Sequence, residues 1–178
     1  NGAVCADQHH HDQSRSGRTK MNRIACVWIP HFVAQMERQR LGIEARPLLV
    51  CDGTKVLGTC ADASALGVRE GDPLHQALIR CPDAHIVQGK RARYQEAWER
   101  TLETLAEHSP LLEEETWGAA YLDASGTSAL YGSEAGWCQA IRQTVWQTVR
   151  IKGQLGVAGS KFAAQVAAKS CASGSGYQ

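Results

Sequence analysis

A chain of 178 residues with 43% apolar side chains can build one domain or two small lobes around a true core. It has no run of ~18 apolar residues, which excludes a membrane-spanning helix, and no basic-plus-apolar leader, so a cytoplasmic protein is expected. The net charge of +1 is a weak footprint for nucleic acid, whose phosphates call for a basic face.

Residues 1–20 are polar, include His9, His10 and His11, and lead to Met21; a disordered N-terminal extension is expected there. Arg23 to Trp28 reads as a buried strand. Pro30 suits the first turn of a helix running to about Arg40, with Phe32, Val33 and Met36 on its apolar side and Gly42 as its stop. Pro47–Cys51 and Val56–Cys60 flank the turn signal Asp52-Gly53, which predicts a hairpin. Ala61 to Leu66 is a short helix ended by Gly67. Pro73 opens another, with Leu74, Ala77, Leu78 and Cys81 at helical spacing. A strand at Ala84–Val87 leads to a long helix, about Arg91 to His108, whose core stripe is Tyr94, Trp98, Leu102 and Leu105.

Leu111–Glu115 and Gly118–Asp123 are two strands or one bent strand. Trp137, Ile141, Val145 and Val149 line a helix from about Glu134 to Ile151. Gln154–Ala158 is a strand. Ser160 caps a last helix, whose buried face is expected to be Phe162, Ala163, Val166 and Ala167. Interleaved strands and helices predict an α/β (α+β) fold with helices layered on sheet. The seven cysteines form no C-x-x-C pair and read as buried, reduced thiols rather than zinc ligands.

Several stretches together resemble the palm and fingers region of the Y-family (UmuC/DinB-type) DNA polymerases. Val27, Phe32, Ala34 and Glu37 fit the opening strand and helix of that family. Leu66-Gly67-Val68-Arg69-Glu70-Gly71-Asp72-Pro73-Leu74, Cys81-Pro82-Asp83-Ala84, Ala120-Tyr121-Leu122-Asp123, Leu130-Tyr131-Gly132 and the run Gly156 to Ala164 follow in the family's order. The resemblance implies a palm with a βαβ mixed sheet covered by helices, over residues 21–29 and 84–178, and a small inserted fingers lobe over residues 30–83.

It also implies where chemistry would sit. The family carries Asp residues in its opening strand, where this chain has Trp28 and Pro30. It carries an Asp-Glu pair in its central strand, where this chain has Gly118 and Ala119. Magnesium demands carboxylate oxygens, so no metal and no cofactor is expected; the carbonyl of Ile29 is one oxygen and will not hold a divalent ion alone. Ala61 and Ser64 replace the Tyr and Arg that grip the triphosphate, and Val33 replaces the aromatic steric gate. Lys161 reads equally as a phosphate contact and as a solvated lysine. Asp123 reads as a turn or cap residue.

Loss of the carboxylates with retention of the frame resembles the ImuB branch, and Val27-Trp28-Ile29-Pro30-His31-Phe32 is similar to its opening strand. That branch implies a non-catalytic adaptor in SOS mutagenesis and DNA repair that binds primer-template DNA, a sliding clamp, a RecA-like partner and an error-prone polymerase. Two alternatives stand beside it. One is an active polymerase with magnesium held by Glu113, Glu114 and Glu115. Those residues lie three to six positions before the lost pair, ~10 to 20 Å along a strand, which is far for ligands of one ion. The other is an α/β interaction domain with no link to DNA.

Overall fold

In the computed structural model, which describes residues 23–43 and 47–171, strands and helices alternate along the chain. They are β1 (Ile24–Trp28), α1 (Phe32–Leu41), β2 (Leu48–Asp52), β3 (Lys55–Thr59), α2 (Ala61–Ala65), α3 (Leu74–Arg80), β4 (His85–Gln88), α4 (Arg91–Ala106), β5 (Leu112–Thr116), β6 (Ala119–Asp123), α5 (Ser128–Tyr131), α6 (Glu134–Val149), β7 (Gln154–Ala158) and α7 (Lys161–Ser170). The expected N-terminal extension, with His9–His11, falls outside the described residues.

Four strands form one sheet in the order β5-β6-β1-β7, antiparallel throughout. Three form a second sheet in the order β3-β2-β4, with β2 antiparallel to β3 and parallel to β4. β4, grouped from sequence with the larger unit, therefore belongs to the smaller sheet. Strand periodicity reports burial; it does not name the neighbour that supplies the hydrogen bonds.

The alternation of β1 divides the core. Ala25 and Val27 join Ala120 and Leu122 in a cluster with Tyr94, Trp98, Trp137 and Ile141 from α4 and α6. Cys26 faces the other way, with Tyr121, Ala164 and Ala168. Trp98, Trp137 and Tyr94 are the bulkiest fully buried side chains, and each such burial contributes roughly 1.5–3 kcal/mol. The first cluster runs without a break into the smaller sheet, through Phe32, Val33, Leu48, Leu49 and Val50.

Two further expectations are corrected and one element is added. α1 starts at Phe32, after Pro30, because His31 takes a left-handed conformation (φ 53) that a helix interior does not allow. A short helix, α5, was not foreseen; its four residues carry no amphipathic period. In α7 the expected face is the wrong one. Phe162 is 76% and Val166 47% exposed, and the buried residues are Ala164 and Ala168. Gly156 of β7 explains this. A Cβ there would lie 2.3 Å from both the carbonyl oxygen of Ala164 and the amide nitrogen of Ala168. The helix backbone rests directly on the strand, so only alanine-sized side chains fit between them.

α1 and α4 are joined by one buried carboxylate. Glu37 has no exposed surface and accepts from Tyr94 Oη at 2.7 Å, Arg93 Nη1 at 2.8 Å and Arg40 Nε at 2.8 Å. Burial pushes its pKa up, but these donors outweigh burial and hold it below the usual carboxylate range. All six described cysteines are free, with Cys26, Cys51, Cys60 and Cys81 buried. No helix among the described residues is long and apolar enough to cross a membrane.

Candidate functional site

The expected site gathers at one corner of the larger sheet, where β1 ends and β6 begins. Trp28 and Ala119 are paired across the two strands. The turn between β5 and β6 is Trp117-Gly118, so the two candidate strands are the arms of a hairpin. Gly118 has φ +82, and its carbonyl accepts from Ile29 N–H at 2.7 Å. A Cβ at 118 would sit 2.6 Å from the Ile29 carbonyl oxygen and 3.0 Å from Phe32 Cβ. The hairpin tip is pinned to the chain leaving β1, in a backbone geometry that only glycine adopts without strain.

Trp28, Ile29, Pro30, Gly118 and Ala119 thus come together at this corner. No acidic side chain is among them. Among the described residues no three His, Cys, Asp or Glu side chains group as a metal ion would require. The residues at this corner do not fit magnesium, which needs several oxygen ligands in near-octahedral array. The run Glu113–Glu115 does not converge either. Glu113 pairs with Lys161 at 2.5 Å and Glu115 accepts from Gln165 at 3.0 Å, both on α7, whereas Glu114 accepts from Trp98 Nε1 at 2.8 Å on α4. Strand alternation sends the middle carboxylate to the opposite face.

The nucleotide-grip positions are only partly assembled. Pro30 and Ala61 line one cleft of about 320 Å³, together with His31, Gln35 and Arg38. Arg38, which lies 3.4 Å from Asp62, is a basic group in this cleft that spacing alone had not singled out. Val33 does not face the cleft openly: it is buried, and a Cβ at Gly58 of β3 would lie 2.7 Å from its own Cβ. Ser64 sits on the last turn of α2, half-buried.

Lys161 is not brought to this corner. β7 pairs Trp28 with Gln154 and Ile24 with Ala158, so α7 begins at the Ile24 end of the sheet. Its ammonium bonds to Glu113 and lies 5.5 Å from the Tyr121 ring centroid. Lys169 is a basic residue at this corner, with Nζ 4.6 Å from the Trp28 ring centroid. Sequence reasoning missed it, although a signal existed: a helix of eight further residues spans ~12 Å and runs back along the sheet. Asp123 accepts from Ser125 N–H at 2.8 Å, the turn role expected of it.

Residues 27–169 match the impB/mucB/samB family. The chain belongs to this family of Y-family DNA polymerase domains. It is 32% identical over 154 residues to DNA polymerase IV of Vibrio vulnificus (strain YJ016), covering 84% of this chain and 44% of that protein. It is 31% identical over 140 residues to DNA polymerase IV of Dehalococcoides mccartyi (strain CBDB1), covering 76% of this chain and 36% of the other. The crystal structure of DinB from Sulfolobus solfataricus superposes with a TM-score of 0.73 at 25% identity, over 83% of this chain and 45% of that one. An insertion ternary complex of Dbh DNA polymerase gives a TM-score of 0.69 at 26% identity, over 83% and 46%. The chain spans less than half the length of these relatives. The mixed α/β fold and the palm-type sheet are therefore those of the family.

Proposed function

We propose that this member of the family is a DNA-binding module of translesion synthesis and repair that no longer transfers nucleotides. It would act as an adaptor of the ImuB kind. One observation carries the reading: at the corner where β1 meets β6, Trp28 faces Ala119, and Gly118 is packed against the Ile29 carbonyl with no room for a carboxylate. The frame that holds primer and template is kept, and the acidic oxygens that two-metal chemistry needs are absent from it. Lys169 at the same corner supplies a positive charge of its own. The partners that follow from the adaptor reading are primer-template DNA, a sliding clamp, a RecA-like protein and an error-prone polymerase.

The test uses the full-length protein. Primed DNA is expected to bind with a steep loss of affinity as salt rises. Affinity is expected to be the same in chelator as in magnesium, and neither magnesium nor manganese is expected to support extension. Template-dependent synthesis would overturn the reading.

A further inference from the structure

Behind the hairpin tip, on the α4 side of the sheet, lies a cavity of about 420 Å³ between the two sheets. Trp117 and Arg91 line one side of it, and the β3 residues Val56 and Leu57 with Gly71 line another. Of the candidate site residues considered above, only Glu114 lines this cavity.

The indole of Trp117 is held from several directions. Its Nε1 donates to Gln95 Oε1 at 2.9 Å, and Tyr94, itself fully buried, meets it edge-on with centroids 6.2 Å apart. The Arg91 guanidinium lies 5.1 Å from its centroid. Arg91 is exposed and its ion pair with Asp52 is long, 3.7 Å, so little holds it over the ring. A rigid aromatic face covered by a weakly held cation is a stacking platform: a planar group displaces the cation at small cost.

The lining says which planar group. Asp52, Glu70 and Glu114 outnumber Lys55 and Arg91. Such a wall disfavours a buried phosphate but accepts hydrogen bonds from ring amino groups. The platform is also one residue from Gly118, at the corner on which the proposed function rests. We infer that the Trp117 slot takes an unpaired nucleobase of bound DNA, stacked on the indole without metal. This rests on the DNA-binding function proposed above.

The experiment measures fluorescence anisotropy of a labelled primer-template with a single-stranded overhang, in chelator, with the full-length protein. A matched substrate carries abasic sites through the overhang. Base–indole stacking predicts about tenfold tighter binding of the base-bearing overhang. Trp117→Ala should erase that preference and leave abasic affinity unchanged, while Trp117→Phe should keep part of it. Equal wild-type binding of the two substrates would overturn the inference, as would a Trp117→Ala loss that is the same on both. Displacement of the overhang by free deoxyadenosine at equal concentration would also overturn it, by making the slot a nucleoside site. Failure of the wild type to bind either substrate would instead overturn the DNA-binding function itself.

Discussion

Ile29 and Gly118 are joined through their backbones on both sides. The Ile29 N–H donates to the Gly118 carbonyl at 2.7 Å, and the Ile29 carbonyl oxygen would lie 2.6 Å from any Cβ at position 118. The hairpin tip cannot receive a side chain without giving up this contact. Under the proposed function, placing acids at 118 and 119 is therefore not expected to build a metal centre. Gly118→Asp should cost about 1–3 kcal/mol from the left-handed backbone alone, and more from the contact. Chemical denaturation of Gly118→Asp and of Gly118→Ala should show the two destabilised alike, and, under the proposed loss of nucleotide transfer, the double variant Gly118→Asp, Ala119→Glu should give no primer extension. Robust extension by that double variant would show that the corner opens more easily than its geometry implies.

Glu37 gives a pH dependence with a definite sign. Its folded-state pKa is depressed, because the Arg40, Tyr94 and Arg93 donors outweigh burial. Its contribution is thus complete above the ordinary carboxylate range of about 4.3 and is lost as pH falls through the lower folded value. Glu37→Gln should flatten the acid limb of the stability curve below about pH 4 relative to wild type. Glu37→Ala should cost about 3 kcal/mol at neutral pH, since it leaves the buried Tyr94 hydroxyl and two guanidinium groups without their acceptor. Urea titrations at neutral and acid pH measure both effects.

Gly156 carries the contact between β7 and α7. Adding one methyl places it 2.3 Å from two backbone atoms of α7. Gly156→Ala should destabilise the fold by at least about 1–3 kcal/mol, the usual cost of overpacking. Hydrogen exchange should report the loss first in the amides of α7, and uniform loss across the whole protein would assign the effect elsewhere.

Two lysines on one helix should behave differently toward DNA. Lys169→Ala is expected to weaken binding to primed DNA and to reduce the salt dependence by about one phosphate contact. Lys161→Ala is expected to leave affinity unchanged, because its ammonium is already engaged by Glu113 at the other end of the sheet. Its loss should change stability by less than about 1 kcal/mol, as for exposed pairs generally. Anisotropy titrations at two salt concentrations distinguish the two residues.

Much of this architecture is legible along the chain. Tyr94, Trp98 and Leu105 recur at helical spacing and are buried on α4; Asp52-Gly53 marks its hairpin; Ser160 leads its helix and accepts from the backbone N–H three residues on. The absence of acids at Trp28, Pro30, Gly118 and Ala119 is a fact of residue identity and needs no coordinates. Periodicity and identity are local properties, and local properties survive projection onto one dimension. What only the tertiary structure decided was which surfaces meet. Phe162 and Val166 look like a core face until α7 is seen lying on Gly156, and Lys161 looks like part of the site until the antiparallel run of β7 carries it to the far end. The pinning of Gly118 by Ile29 and the slot behind Trp117 are likewise invisible in sequence. Their residues lie dozens of positions apart, and distance through space depends on strand pairing that no single segment encodes.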